Sequence, residues 1–311
     1  MSILIPGALP DSAIAPALAE ELEKTTPRLV ELFRRAKPLP ESLPPALTGC
    51  TPEEVCRLRA EGFRPAVADA WASGLGPLLH PEVTDDQPVW LAEFAHIAMG
   101  TDQVNLIPLP ELQISAEEDA ELSLAAGDIL VQHGLAAQVL QPGRWALRDE
   151  QGLLAQARSA SPATVARDGL LGWWNHDPAL RPWRRVLNEI QMAWHEHPVN
   201  EARAARGLVP VNGLWLYGGS PPWPRQPGSR PVLWPELQDA ALAEDWGRWL
   251  QHIKQLEARL APWLMQPGNT EALILTGRDR LVTLQLTPRP WWQRWLPVPK
   301  HEWKNWWQLR A

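Results

Sequence analysis

The chain has 311 residues, 45% of them hydrophobic and 21% charged, with a net charge of -7 and only two cysteines, Cys50 and Cys56. That length can bury one large or two modest cores, which excludes a disordered chain, and the acidic balance excludes a general nucleic-acid binder despite a local basic tail at Arg289, Arg294, Lys300, Lys304 and Arg310. Two cysteines without a C-x-x-C spacing exclude a disulfide scaffold and a cysteine zinc site, and 19 Trp against 3 Phe and 1 Tyr make tryptophan the main aromatic packing material.

The N-terminal MSILIPGALPDS lacks the basic start and long apolar core of a signal peptide, and no run approaches the ~20 apolar residues of a membrane helix, so a cytoplasmic protein without a membrane span is expected. Ile3 to Ile5, stopped by Pro6 and Gly7, predicts a central first strand. Leu18, Leu22, Leu29, Leu32 and Phe33 predict helix from Ala17 to Ala36, with a break near Thr25, Thr26 and Pro27 where a threonine cap followed by proline starts a fresh helix. The proline-rich 37–52 stretch reads as a surface connection, and T-P-E-E at Thr51 opens a capped helix.

From Gln87 the pattern changes. Val89 to Ala98 and Val104 to Leu109 predict paired strands, Ser115 caps an acidic helix, and Ala136 to Leu140 with Trp145 to Arg148 predicts a hairpin around Pro142 and Gly143. Residues 87–150 therefore read as a small inserted α+β subdomain, and residues 1–86 with 151–311 as the main α/β domain. Pro221 to Pro235 excludes helix, Leu237 to Leu264 predicts one long amphipathic helix, and A-L-I-L-T before Gly277 predicts a strand with Leu281 to Leu286 as its neighbour. Tryptophan-rich short helices are expected at the end of the chain.

The richest stretch is LNEIQMAWHEHPVNEARAARGLVPVNGLWLYGGS, from Leu187 to Ser220. It reads as helix, proline break, a second helix from about Asn200, a stop at Gly207, and a buried strand from Val211 to Tyr217 that ends in Gly218 and Gly219. Ligands in open α/β sheets sit beyond the carboxyl ends of strands, so Asn200, Arg203, Arg206, Asn212, Gly218, Gly219 and Ser220 are the candidate site. The same residues equally read as a helix cap, paired surface arginines and a glycine turn.

Other constellations carry less. His195 and His197 lie about 200° apart on a helix and cannot grip one ion together. No G-x-S-x-G elbow, Walker loop or G-x-G-x-x-G is present. The segments W-W-x-x-W and E-W-K-N-W-W near the C-terminus fit either a partner-binding face or core packing.

LEKTTPRLVELFRRA, HPVNEARAARG followed by VNGLWLYGGS, and WGRWLQHIKQLEARLAPWL followed by EALILTGRDR occur in that order. Together they resemble the bacterial cofactor-independent phosphoglycerate mutase-like proteins, the regulatory-type group, within the alkaline-phosphatase-like superfamily. The resemblance implies an α/β fold with a mostly parallel, helix-flanked sheet holding the strands at Ile3, Val211 and Leu273 together. It also implies a two-metal phosphoryl-transfer site, but here the chain departs from the pattern: Pro6 stands where those mutases carry a metal-binding Asp, and Arg278, Asp279 and Arg280 follow the late strand in place of Asp-His. Such chemistry needs cations to create the nucleophile and neutralise the phosphate. Thr48, Cys50 and Thr51 are unanchored as nucleophiles.

The expectation is a protein without catalytic residues, metal or cofactor that binds a small anionic ligand or a protein partner, in regulation, with Asn200, Arg203, Asn212, Gly218 and Gly219 as its ligand-binding or structural motif. One alternative is an active phosphomutase or phosphatase with ligands rearranged among His80, Asp85, Asp86, His96, Asp102, His176, Asp177, His197 and Asp279. The other is an interaction protein that works through its tryptophan-rich C-terminal face.

Overall fold

A computed structural model of the chain describes residues 2–67, 70–83, 85–100, 104–155, 157–158, 160–174, 178–226, 230–265, 272–285 and 302–308. The fold is mixed α/β with two separate sheets, and the chain divides into two compact units, one of residues 1–45, 51–62 and 226–311, the other of 46–50 and 63–225.

The first unit holds a sheet ordered β2-β10-β9-β1-β8, formed by β1 (Ser2–Ile5), β2 (Lys37–Ser42), β8 (Val232–Leu233), β9 (Ala272–Thr276) and β10 (Arg280–Gln285). β1 runs parallel to β8 and β9, whereas β10 is antiparallel to both β9 and β2. The sheet is thus mixed, not mostly parallel as expected. The cause is local: Gly277 to Asp279 close a tight turn, with Gly277 N–H donating to the Arg280 carbonyl, so the chain reverses directly after β9. The 37–52 connection likewise turns out to begin with an edge strand. Pro38 and Pro40 are tolerated in β2 because, among the described residues, only β10 pairs with it.

Ile3, Ile5, Leu273, Leu275, Val282 and Leu284 face a core closed by the helices Ala15–Thr25, Pro27–Arg35, Trp246–Met265 and Glu302–Trp307. The break before Pro27 is present, but Thr26 does not cap it. Its hydroxyl donates back to the Leu22 carbonyl, and the Glu257 carboxylate from the Trp246–Met265 helix accepts from the Arg28 and Leu29 N–H groups instead. The single long helix expected from Leu237 to Leu264 is two, Gln238–Leu242 and Trp246–Met265. Glu244 takes a φ of 52° between them, and the Asp245 carboxylate accepts from the Arg248 N–H to start the second. The Thr51 helix, Pro52–Ala60, is capped as expected, and Glu54 completes a capping box.

In the second unit, β3 (Val89–Met99) is the spine. It pairs antiparallel with β4 (Val104–Ile107), β6 (Arg144–Asp149) and β7 (Gly213–Ser220), and β6 pairs with β5 (Leu135–Gln141). The Val211–Tyr217 run was expected in one parallel sheet with β1 and β9. It lies in the other sheet, and this overturns the three-strand arrangement. Its apolar residues on both faces have another cause. Leu214 and Leu216 join the core of the Arg181–His195 helix, Trp215 and Tyr217 are buried as well, and segments Trp71–Gly74 and Leu75–Leu79 pack on the same strand. The expected insertion 87–150 lies wholly within this unit, which extends beyond it to 46–50, 63–86 and 151–225.

The core here is built on Phe94, Trp145 and Trp194, whose rings meet edge to face at 4.9 to 6.2 Å. The helix Ala116–Gln132, capped by Ser115 as expected, packs on Arg181–His195, and the Trp194 indole donates to the Leu122 carbonyl at 3.0 Å. Among the described residues no helix is long and apolar enough to cross a membrane.

Candidate functional site

The candidate residues from Asn200 to Asn212 do come together, but around backbone. Asn200 lies in the helix Pro198–Ala205, whose N-cap is His197; Asn200 sits inside the first turn and does not cap it. Its carboxamide oxygen accepts from the Val211 N–H at 2.8 Å, and its NH2 donates to the carbonyls of Val211 at 2.9 Å and Trp194 at 2.8 Å. Asn212 does the same to β3: its oxygen accepts from the Ile97 N–H at 2.6 Å and its NH2 donates to the Ile97 carbonyl at 3.0 Å. Each carboxamide acts as one peptide unit of a neighbouring strand.

Arg203 is the centre of the arrangement and is 0% exposed. Its Nε donates to the Val209 carbonyl at 2.9 Å, one terminal nitrogen to the Glu118 carboxylate at 2.9 Å, and the other to the Leu112 carbonyl at 2.7 Å. Glu118 also binds Arg206 and, through the capping box, the Ser115 N–H. Burial raises the Glu118 pKa, but the Ser115 N–H, Arg206 and Arg203 outweigh it and hold the carboxyl below its ordinary 4.5. The guanidinium therefore faces an acid and two carbonyls.

Gly207 ends the helix at φ 73° with open space around it. Gly218 and Gly219 have a different reason for being glycine. A Cβ on Gly218 would lie 2.7 Å from the Val89 carbonyl oxygen, and one on Gly219 would lie 2.4 Å from the Trp90 ring. The turn expected after Tyr217 is instead the end of β7, where Gly218 and Gly219 sit at a register shift against β3 and β3 occupies the space beside each.

The carboxyl ends of the parallel strands β1 and β9 are the other place where a ligand would sit in an open α/β sheet. Here they are covered by the chain itself. After Ile5 the loop folds back so that the Leu9 N–H donates to the Thr276 carbonyl at 3.1 Å, while the Trp249 indole donates to the Gly7 carbonyl at 2.8 Å. Ala8 and Leu9 are buried, a Cβ on Gly7 would meet Ala241 and the Leu237 carbonyl at 2.9 Å, and one on Gly277 would meet the Leu9 carbonyl at 2.6 Å. Arg280 is buried at the same end and donates to the carbonyls of Pro10 and Trp307. Burial pulls its pKa down, opposed by Asp279 and Asp11.

This donor set does not fit the metal pair implied by the resemblance. Pro6, Gly7, Thr276 and Gly277 supply neither carboxylate nor imidazole, and the carboxylates nearby, Asp11 and Asp279, act on the Arg280 guanidinium. Among the described residues, no three of His, Cys, Asp and Glu converge in a way that could hold an ion. Of the rearranged ligands considered, Asp85 pairs with Arg148, His96 meets the Pro210 carbonyl, and His197 accepts from the Val199 N–H. His80 is buried, Asp279 lies 4.0 Å from Arg280, and Asp86 is exposed. Asp102, His176 and Asp177 lie outside the described residues.

The tryptophan face is corrected in part: Trp303, Trp306 and Trp307 are buried against Phe33 and Trp249 and form core. The W-W-x-x-W segment lies outside the described residues.

Sequence reasoning missed a buried polar cluster on the second sheet. Glu93 binds the Arg144 guanidinium at 2.5 Å and the hydroxyl of Tyr217. Burial lowers the Arg144 pKa, but Tyr217 and Glu93 raise it more, leaving it above its ordinary value. The available signal was a lone acid inside the apolar run V-W-L-A-E-F-A. Glu118 was legible only as an acid in the helix that Ser115 caps.

No protein-family model matches the chain, and no curated protein matches it. Among solved structures it is similar to the cofactor-independent phosphoglycerate mutase from Thermoplasma acidophilum DSM 1728, at 15% identity and a TM-score of 0.35 over 91% of this chain and 88% of that one. It is also similar to the PH0037 protein from Pyrococcus horikoshii, at 12% identity and a TM-score of 0.41 over 91% of this chain and 86% of that one. The likeness to phosphoglycerate mutase-like proteins is thus a distant structural one.

Proposed function

We propose that this protein is a degenerate relative of the cofactor-independent phosphoglycerate mutases, on an alkaline-phosphatase-like α/β scaffold, that acts by binding a partner and not by phosphoryl transfer. The observation that carries this reading is the covered carboxyl end of β1 and β9. There the Leu9 N–H donates to the Thr276 carbonyl, the Trp249 indole to the Gly7 carbonyl, and the Arg280 guanidinium to the carbonyls of Pro10 and Trp307. A regulatory role in the cytoplasm is the corresponding expectation for a protein that keeps the scaffold without the chemistry.

The motif at Asn200, Arg203, Asn212, Gly218 and Gly219 is assigned to holding the second unit together, because each polar group is engaged by backbone or by Glu118. The test is an assay for phosphoglycerate mutase and phosphomonoesterase activity with added Mn, Mg or Zn. No turnover is expected. Turnover above about 1 per second that a chelator abolishes, within the usual enzyme range, would establish the active alternative instead.

A further inference from the structure

We infer that the cavity between the end of the Leu75–Leu79 helix and the β5–β6 hairpin binds a short aliphatic monocarboxylate, with His80 and Arg148 holding the carboxylate. The cavity measures about 90 Å3 and is lined by residues of the second unit, so the inference does not depend on the covered strand ends of the first. That is room for a few waters or for a carboxylate with a tail of about two or three carbons, well short of the roughly 300 Å3 at which drug-sized ligands begin.

His80 follows the last turn of that helix, where its N–H donates to the Gly76 carbonyl, and the residue is only 8% exposed. A buried polar side chain is normally hydrogen-bonded, yet among the described residues nothing bonds to this ring, and neither ring nitrogen is sealed from solvent space. The open side of the ring is the cavity that it lines.

Arg148 lines the same cavity with donors to spare. One terminal nitrogen is engaged, by Asp85 at 2.5 Å, and the other oxygen of Asp85 accepts from the Gln87 N–H at 3.2 Å, so the acid is fixed from both sides and sets the guanidinium in turn. Nε and the second terminal nitrogen form the free edge of the fork, the geometry that grips a carboxylate by two parallel bonds. Val83, Val89, Ala136, Ala146 and Leu147 supply apolar wall. That wall suits a hydrocarbon tail and cannot satisfy the remaining oxygens of a phosphate, and Asp85 beside the fork opposes a second negative charge. The same carboxylate chemistry occurs at a peptide C-terminus, but the small volume favours the free acid.

The experiment follows the histidine ring signals of the full chain by NMR during titration with butyrate, butyramide, inorganic phosphate and the tripeptide Ala-Ala-Val, the His80 signal being identified by its loss in His80→Gln. Butyrate should move that signal to saturation. Butyramide, which keeps the tail without the charge, should bind at least about tenfold more weakly, as loss of a charge-assisted pair requires. Arg148→Gln, on an exposed side chain, and Ala136→Leu, which fills the cavity from its exposed rim, should each weaken butyrate at least about tenfold. Both should leave the other histidine signals in place, which separates a lost site from a lost fold. A His80 signal that butyrate does not move to saturation would overturn the inference. So would butyramide or phosphate binding as well as butyrate, folded variants that bind like wild type, or a tripeptide that binds more tightly than butyrate and so assigns the site to a peptide terminus.

Discussion

Asn200 holds Val211 as a neighbouring strand would, accepting from its N–H at 2.8 Å and donating to its carbonyl at 2.9 Å. The remaining NH2 hydrogen reaches the Trp194 carbonyl, so one side chain joins the end of one helix, the start of the next and the approach to β7. Asn200→Ala leaves these buried groups unpaired and is expected to cost about 1–3 kcal/mol for each that water cannot reach. Asn200→Asp should cost more, because a carboxylate oxygen then faces two carbonyls. Urea unfolding of the three proteins checks this, and an Asp variant as stable as wild type would contradict it.

Glu118 makes stability depend on pH in a defined direction. Its folded pKa is depressed below the ordinary 4.5, so its contribution is present above that value and is lost as pH falls through the lower folded value. Glu118→Gln should therefore lower stability at neutral pH, by about 1–3 kcal/mol for a charge-assisted bond. The gap from wild type should close as pH drops below 4.5. A gap that stays constant across that range would refute the assignment.

Two glycines of one stretch should respond differently. Gly207 and Gly218 both have positive φ, but a Cβ on Gly207 meets open space while one on Gly218 meets the Val89 carbonyl oxygen. Gly207→Ala carries backbone strain alone, about 1 kcal/mol, and Gly218→Ala adds a clash with main chain, for about 1–3 kcal/mol more. Denaturation midpoints in the reverse order would show that the 213–220 strand is seated otherwise.

These residues also mark how far the sequence could be read. Local chemistry was legible: the helix caps at Thr51 and Ser115, the stop at Gly207, and the strands β1, β9 and β10 follow from signals within a few residues. Pairing was not. Val211 to Tyr217 is apolar on both faces, which fits a parallel sheet and equally an antiparallel strand covered by short helices, and no local signal separates them. The same limit hid the role of Arg203, because its partners Leu112 and Glu118 are 91 and 85 residues away in sequence.

The cysteines should be inert in the folded chain. Both are buried, and burial pushes the Cys56 thiol up to about 11, far from the thiolate form at neutral pH. A colorimetric thiol reagent should label neither in the native protein and both after unfolding in denaturant. Rapid native labelling of Cys56 would show that the helix Pro52–Ala60 opens readily or packs differently.

The central claim is that the Asn200 to Gly219 motif holds structure and does not hold a ligand, and Arg203 tests it most directly. Its guanidinium is buried against Glu118 and two carbonyls, so Arg203→Ala removes one of the two arginines that Glu118 binds and the donors to the Val209 and Leu112 carbonyls, and should lower stability by about 3–5 kcal/mol. The measurement is thermal melting of wild type and Arg203→Ala, each with and without millimolar phosphate or 3-phosphoglycerate. The account predicts a large drop in melting temperature in the variant and no anion-dependent shift in either protein. An unchanged melting temperature in the variant, together with an anion-dependent rise confined to wild type, would contradict it.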